Sequence, residues 1–476
     1  MKNLFFLVIF VSAIILPESC FAAEDRSFWQ KRQKSVTETQ TPASTTSESE
    51  LDPQTIEIPE QYGTVIETHR GTNGRLIVHI QDAHCNYEAQ INEANILESL
   101  INDYDLNLIL KESKLTDRDF KYLRPRLPVE ERKEVADELL RDGYITGVNY
   151  LDLGSDYPIT IQGLEDKELY DNNISALWEI DKFKDAAGEY VIMLIAAGDA
   201  IKPKIYNDDL LEVDNKKKDY DNEKMDLLEY YEFLYDKAGE QGIPLYTFPN
   251  FQNLIKASEI EKKIDLVKVR DGSASDEEMG LYNEYLEATR DLNINSLFKE
   301  EPLLEDVVQD VLATTYDQKR LIRISKALSI MKNLLRIKVV PEEYNYFVDN
   351  GEDFDPAFWA GFLKEKSQEL GLYLDIPANA YIVSENLPKI KKFYKLASDR
   401  EKVFLERTGE HMNNERADLA ALVAGGFHTP TLTRLLADAG YSYIVVSPKV
   451  TTETSEALYR WALKMDWIPE LKGGKR

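Results

Sequence analysis

The sequence predicts an α/β fold: a mostly parallel sheet flanked by helices, with a large helical insertion. Short apolar segments of strand length alternate with helix-like segments in the first 175 residues and again after residue 395. This alternation is typical of parallel strands joined by helices. The residues between the two parts have almost purely helical periodicity. Several of the strand-like segments end in polar turns, the position at which α/β sheets carry their functional groups.

The first two predicted strands have the pattern of a hairpin. Apolar segments at 64–68 and 75–80 flank the turn Gly71–Gly74, and short spacing with glycines favours antiparallel pairing. A helix is predicted at 88–103, where apolar residues recur at helical spacing. The next predicted elements are a strand at 106–110, helical segments within 117–141 and a strand at 158–162.

The middle of the chain, from about 170 to 418, has mostly amphipathic helical patterns. Acidic linkers are predicted at 214–221 and 272–278, and Pro244–Phe248 is a strand candidate. The end of the chain returns to the α/β pattern, with a helix at 399–418, a strand at 420–424, a helix at 431–439 and a strand at 441–446. We therefore predict a split α/β domain and an inserted helical cap, with bounds of 56–175 plus 395–470 for the domain and 176–394 for the cap.

The amino terminus has the features of a secretory signal peptide. Residues 1–22 combine a lysine, the apolar segment Leu4–Leu16 and a small-x-small cleavage site. Residues 23–55, rich in Ser, Thr, Gln and Glu, are predicted to be a disordered linker. The mature protein is expected to be exported, to the periplasm of a bacterium; a lipoprotein anchored at Cys20 is the less favoured alternative. Cleavage would leave Cys85 as the remaining cysteine, so no intramolecular disulfide is expected.

The charge balance limits the kinds of partner. The chain has 57 basic and 85 acidic side chains, a net charge of −28. Phosphate-rich partners would be repelled, which argues against nucleic acid and anionic membrane. No segment after the signal is apolar enough to predict a membrane span. A small-molecule or peptide substrate fits this composition, and the sequence does not indicate an oligomeric state.

Polar residues follow the apolar strands at several strand ends. His428 follows two glycines, Gly425 and Gly426, after an apolar strand, and His84 occupies a similar turn near the start of the chain. The carboxyl ends of parallel strands lie on one edge of a sheet, so these distant residues are expected to converge. The other strand-end residues are Asp82 after the first parallel strand, Glu112 after the second, and Glu165 and Asp166 after the third.

Two chemistries fit this set of residues. Two imidazoles with one or two carboxylates suit a divalent metal such as Zn, Mn or Fe, and the predicted ligands are His84, Glu112, His428 and Glu165. The same groups without a metal could act as general base and general acid. Arg400 joins the predicted catalytic set with the two histidines and Glu112, because a guanidinium at the cleft would hold an anionic group.

Most of these residues also have a structural alternative. His84 could cap a helix, and Glu112 could pair with Lys111. Glu165 and Asp166 also fit an ordinary acidic helix start, which the helix dipole favours. Arg400 could lie on a solvated helix face, an alternative as well supported as the cleft.

The remaining candidates are weaker. Cys85 could form a cysteine–histidine pair with its neighbour, but a lone cysteine at a strand end is more often a packing residue. His69, His79 and His411 have settings typical of structural histidines.

The motifs resemble those of a superfamily that joins erythromycin esterases, ChaN-like haem-binding lipoproteins and the Tiki and TraB families. They are Gln81-Asp-Ala-His84, Lys111-Glu112, Arg400-Glu401 and Gly425-Gly-Phe-His428. Gln81 stands where the family pattern has glycine, and Arg400-Glu401 where it more often has Arg-Asp. The resemblance covers about 65–180 and 395–450. It implies a sheet with helical additions and a cleft lined by His and Glu; the activities of the superfamily include esterase chemistry, metal-dependent peptidase chemistry and haem binding.

Three hypotheses follow. The first is an exported hydrolase of an ester or amide bond, in which His84 or Glu112 activates water, either directly or through a bound metal. His428 is then a ligand or an acid, and Arg400 holds an anionic group. The second is a non-catalytic protein that binds haem or a metal ion through the same histidines. The third is an exported scaffold whose helical part binds a partner.

Overall fold

The computed structural model describes residues 52–452, apart from 115–124, 223, 266–267, 270–272, 291 and 293. The predicted signal peptide, most of the predicted linker and residues 453–470 of the predicted α/β domain lie outside the described residues. The described chain is an α/β protein with a six-stranded, mostly parallel sheet flanked by many helices. The predicted fold class is confirmed.

The sheet combines strands from both ends of the chain. In chain order they are β1 Gly63–His69, β2 Leu76–Asp82, β3 Leu108–Lys114, β4 Thr160–Glu165, β5 Leu419–Gly425 and β6 Ser442–Pro448. Their order across the sheet is β1-β6-β2-β5-β3-β4. β1 runs antiparallel to β6, and the other neighbouring strands are parallel.

The helices of the described residues fall mainly between β4 and β5. In chain order they are α1 Tyr87–Tyr104, α2 Val129–Arg141, α3 Gly147–Gly154, α4 Lys167–Asp181, α5 Lys184–Ile205, α6 Asp208–Asp221, α7 Leu227–Glu240, α8 Pro249–Glu261, α9 Asp276–Arg290, α10 Ile294–Leu312, α11 Tyr316–Leu335, α12 Pro341–Asp349, α13 Pro356–Glu369, α14 Tyr381–Ser384, α15 Leu387–Glu415 and α16 Thr429–Asp438.

The predicted hairpin of β1 with β2 is wrong, because β6 lies between these two strands. The connecting turn packs instead against the turn before β6. There the backbone N–H groups of Thr72 and Asn73 donate to the carbonyl oxygen of Gly440, at 2.7 and 2.9 Å. Gly71 permits this approach, since a Cβ atom at that position would lie 2.2 Å from the same oxygen. Closeness in the sequence favours pairing of consecutive strands, and the packing of β6 overrides it here.

Helices cover both faces of the sheet. Val78 and Ile80 of β2 pack in one hydrophobic core with α1 and α3. Ile77, the neighbour of Val78 in the chain, packs in a second core with α15 and α16. Successive side chains of a strand point to opposite faces, so a strand covered on both sides needs apolar residues throughout. This explains why β2, β5 and β6 are buried along their whole length.

Two predicted features of the helical part are wrong. Pro244–Phe248 is not a strand: Leu245–Thr247 forms a short 3-10 turn between α7 and α8. Residues 214–221 are not a linker, because they complete α6. Their charges are paired across neighbouring helices, as where Lys202 of α5 donates to Asp214 at 2.6 Å. Ion pairing of this kind lets an acidic segment remain helical.

The helix α15 connects the helical part with the sheet. It begins at Leu387, well before the predicted start at Asp399, and ends at Glu415. Ile390 and Phe393 near its start belong to an aromatic-rich core shared with α5, α11 and α13. Phe404 and Met412 farther along belong to the core beneath the sheet. Among the described residues, no helix has both the length and the apolar character needed to cross a membrane.

Candidate functional site

The strand order creates a crevice at the carboxyl ends of β2 and β5. These strands are neighbours, with Asp82 opposite Gly425 in register. The chain leaves β2 through α1 on one face of the sheet and leaves β5 through α16 on the other. A point where adjacent strands diverge to opposite faces is the usual ligand-binding position of an open α/β sheet. Asp82, His84 and His428 lie at this position, and Glu112 of the neighbouring strand β3 reaches it through the Gly425 N–H.

His84 and Asp82 form a hydrogen-bonded pair at the mouth of the crevice. The ring Nδ1 lies 2.7 Å from Oδ2 of the buried Asp82 carboxylate. The ring Nε2 faces β5, 3.7 Å from the position that a Cβ atom on Gly425 would occupy. Burial acts to lower the pKa of His84, but the charge and hydrogen bond of Asp82 outweigh it and raise the pKa to about 10.

The turn after His84 fixes this geometry. Cys85 has a positive φ of 62°, so the chain reverses sharply, and the Asn86 side chain then caps α1 by accepting from the Ala89 N–H at 2.9 Å. His84 is therefore held between the end of a strand and the start of a helix. The cap of α1 is made by Asn86, which removes the alternative that His84 itself is the capping residue.

Glu112 is the central carboxylate of the site. Its Oε2 accepts the backbone N–H of Gly425 at 2.9 Å. Its Oε1 accepts from Nη2 of Arg400 at 2.7 Å and lies 3.4 Å from Nε2 of His428. Burial opposes ionisation, but the charges of His428 and Arg400 hold the pKa of Glu112 well below its ordinary value. Glu112 is thus an ionised anchor for its neighbours and a weak base.

His428 is buried, and partners lie beside both of its ring nitrogens. Nδ1 contacts Oε1 of Glu401 at 2.9 Å, while Nε2 faces Glu112. The rings of Phe404 and Phe427 pack edge-on against the imidazole. Burial lowers the pKa of His428, yet the two carboxylates outweigh burial and raise it to about 9. His428 is consequently an imidazolium that holds Glu112 in place at neutral pH.

Arg400 is buried within the site, so the alternative of a solvated helix face is wrong. Its Nε donates to both oxygens of Glu165, at 3.1 and 3.2 Å, and Nη1 donates to Asn173 at 2.8 Å. Nη2 bonds Glu112 and also Glu165. A guanidinium whose donors are taken by protein groups positions those groups. In this geometry Arg400 orders Glu112 and does not present itself to a ligand.

The two acidic residues after β4 have different roles. Glu165 is the last residue of the strand and is completely buried against Arg400. Asp166 caps α4, where its side chain accepts from the N–H groups of Glu168 and Leu169. The alternative of an ordinary acidic helix start is therefore correct for Asp166, whereas Glu165 belongs to the buried charge network.

Sequence reasoning missed several partners in this network. The sequence places Glu401 in a motif beside Arg400 without indicating a role, and no pattern singles out Asn173 or Gln90. One signal was present: Phe393, Ala397 and Phe404 recur at helical spacing on the buried face of α15. Arg400 falls on that face, and Glu401 is the next residue. A charged pair inside an apolar stripe indicates a buried ionic site.

The predicted metal ligands resemble those of a metal site in residue type and in the contacts that support the imidazoles. Asp82 and Glu401 each bind the Nδ1 of a histidine, as carboxylates commonly do behind metal-bound imidazoles. In the present arrangement Nε2 of His428 faces Glu112 directly, and Arg400 also bonds that carboxylate. Among the residues the structure describes, no group of three or more His, Cys, Asp or Glu is placed to hold a metal ion.

His79 lies beneath the site and has a structural role. Its Nδ1 donates to the Leu422 carbonyl at 3.0 Å, and Nε2 accepts from the Thr429 hydroxyl at 2.9 Å. The tautomer is assigned from these partners, since a carbonyl accepts only. Complete burial lowers the pKa of His79 from 6.5 to about 4.

This histidine should make the fold sensitive to acid. The folded protein keeps His79 neutral down to a pH of about 4, while the unfolded chain takes up a proton near 6.5. Stability should therefore fall as the pH decreases between these values, by about 1.4 kcal/mol per pH unit. Urea denaturation of the wild type and of His79→Gln across this range measures the effect. The difference in unfolding free energy between the two proteins should change with pH; parallel curves would contradict the prediction.

The site as a whole is a network of paired charged groups, with four carboxylates and three basic side chains. Asp82, Glu112, Glu165 and Glu401 face His84, His428 and Arg400. Such a set can orient groups and transfer protons without large rearrangement, because its charges are already paired. Comparison of the chain with protein-family models, with curated proteins and with solved structures found no match.

Proposed function

We propose that this protein is an exported, periplasmic hydrolase of an ester or amide bond, with His84 as its acid–base group. The supporting observation is the exposure of the site's charged groups. The His84 side chain is 31% exposed, against 12% for Glu112 and 4% for His428. His84 is thus the group of this network that solvent and substrate reach, while Asp82 holds it from behind. The proposal places the chain beside the erythromycin esterase, ChaN-like, Tiki and TraB families, whose motif order it resembles.

The His84–Asp82 pair can perform both proton transfers of hydrolysis. In its neutral form His84 carries its proton on Nδ1, which donates to Asp82. Its Nε2 then accepts a proton from water as the water attacks the carbonyl carbon. The resulting imidazolium then donates this proton to the leaving oxygen or nitrogen. Because the pKa of His84 is raised to about 10, the neutral form is a minor species at pH 7. The rate should increase with pH up to that value.

The test is an assay of the purified mature protein on a panel of carboxylic esters and peptides. His84→Ala should reduce the rate by about 10²–10⁴-fold, the usual contribution of a general acid–base group. His411→Ala, which removes an imidazole from α15 outside the site, is the matched control and should retain full activity. Hydrolysis that survives in His84→Ala, or a wild-type protein inactive on the whole panel, would refute the proposal.

Metal-dependent hydrolysis is the second candidate, favoured by the carboxylates behind both imidazoles. His84, Glu112, His428 and Glu165 would be the ligands, and a bound metal would supply a water of lowered pKa. Elemental analysis of the wild type and of His428→Ala tests this version, which requires a stoichiometric metal that the variant loses. A haemin titration tests the non-catalytic alternative, since a haem carrier would give a Soret shift that disappears in His84→Ala.

A further inference from the structure

Gln90 links Asp82 to the start of helix α3. Its side chain is buried on the first turns of α1. Oε1 accepts the backbone N–H of Gly147 at 2.6 Å, and Nε2 donates to Oδ1 of Asp82 at 2.6 Å and to the Ala83 carbonyl at 3.3 Å. The direction of this amide is fixed, because a backbone N–H can only donate and must face the amide oxygen. The NH2 group must then face the carboxylate.

The docking of α3 against α1 holds this contact rigidly. A Cβ atom on Gly147 would lie 2.3 Å from the backbone oxygen of Gln90 and 2.8 Å from Oε1 of Glu93. The next N–H of the helix, from Val148, donates to the same Glu93 oxygen at 3.0 Å. Two consecutive N–H groups at the start of α3 thus bind two side chains of α1. These groups lack partners within their own helix, so external acceptors satisfy them.

Asp82 divides its two oxygens between Gln90 and His84. Oδ1 accepts from Gln90, and Oδ2 contacts Nδ1 of His84 at 2.7 Å. A buried carboxylate that loses a donor is poorly solvated and turns towards other donors. The contact on Oδ1 therefore determines where Oδ2 points, and hence how the imidazole is held.

We propose that Gln90 is a positioning residue of the candidate site, which transmits the fixed start of α3 through Asp82 to His84. This inference rests on the proposed role of His84 in hydrolysis. Gln90 is buried and bonds Asp82, Ala83 and Gly147, so it acts on His84 through Asp82. Its effect is expected on the orientation of the imidazole and on kcat, with KM unchanged, because the substrate would bind the same surface.

The test compares Gln90→Leu with Asn92→Leu, a matched control. Asn92 is also a buried amide on α1, and it donates to the Lys449 carbonyl at 2.8 Å, away from Asp82. In protein labelled with ¹⁵N-histidine, the Nδ1 proton of His84 should give a downfield resonance, assigned by its loss in His84→Ala. Gln90→Leu should abolish this resonance or move it upfield and lower kcat by about tenfold or more. Asn92→Leu should leave both unchanged.

An unchanged His84 resonance in Gln90→Leu would overturn the proposal, as would an equal change in Asn92→Leu. Gln90→Met retains the length of the side chain and is used if the leucine variant does not fold, with the same expected result. The spectrum requires no substrate. A lost resonance in a protein that hydrolyses nothing would therefore support the role of Gln90 and refute only the proposed function.

Discussion

Replacement of Arg400 by methionine is expected to lower the free energy of unfolding by about 3–5 kcal/mol, the usual cost of removing one partner from a buried ionic network. The guanidinium lies between the carboxylates of Glu112 and Glu165 and binds both. Methionine fills much of the same volume but leaves Glu165 without its guanidinium partner and Glu112 with His428 alone. The mutual repulsion of the two carboxylates and their lost hydrogen bonds would destabilise the folded state. Urea denaturation near neutral pH measures the change.

Lys402→Met on the same helix is the control for this variant. Lys402 is largely exposed and pairs with Asp399 at the surface, where an ion pair contributes little. Its replacement should change the unfolding free energy by no more than about 0.5 kcal/mol. A loss for Arg400→Met as small as that for Lys402→Met would show that the buried carboxylates do not depend on the guanidinium.

Replacement of Gly147 by alanine is expected to cost about 3 kcal/mol of unfolding free energy, at the upper end for an overpacked site. The added methyl group would lie 2.3 Å from a backbone oxygen of α1, which cannot move away as a flexible side chain can. To avoid the overlap α3 must separate from α1, which breaks the contacts of Gly147 with Gln90 and of Val148 with Glu93. Thermal and urea denaturation report the loss.

The substitution Gly188→Ala, in another helix, is expected to raise the free energy of unfolding. Gly188 lies inside α5, and a Cβ atom there would meet nothing within 4 Å. Alanine is the better helix former, so this variant should gain about 0.5–1 kcal/mol. The two substitutions add the same methyl group, and their contrast isolates the close approach of α3 to α1. Equal effects would contradict the importance of that contact.

The sheet could be predicted because its strands have a local signature. The strands that became β2 to β6 are apolar segments bounded by turns, and the sequence identifies them directly. Pairing is not local: β1 was assigned to β2 from proximity, whereas β6 arrives from the far end of the chain. Pro244–Phe248 has the composition of a strand, but it lies between helices and forms a turn. Short aromatic segments do not distinguish these outcomes.

Some residues of the candidate site could likewise be predicted from the sequence, and others could not. His84, Glu112 and His428 could be predicted because each follows an apolar segment of the sequence, and the edge of a parallel sheet brings strand ends together. β3 extends past Glu112 to Lys114, so this carboxylate lies within the strand. The side chains that hold these three residues in place come from helices, and which helical side chains reach the site depends on which helix face is buried. Gln90 reads as one polar residue among many on an amphipathic helix. The predicted helix start at Asp399 leaves Phe393 and Ala397 outside the helix, so the apolar stripe that indicates the burial of Arg400 is not recognised.

The continuity of α15 has a mechanical consequence. Between Phe393 in the helical core and Phe404 under the sheet, the helix advances by roughly 16 Å without a break. Arg400 lies between these two anchors and bonds Glu112 within β3 and Glu165 at the end of β4. If the helical part moved relative to the sheet, the continuous helix α15 would move the guanidinium with it and separate it from its carboxylates. The ionic network therefore resists relative motion of the two halves, and the position of Glu112 beside Gly425 depends on the alignment of a helix that is anchored in the helical core.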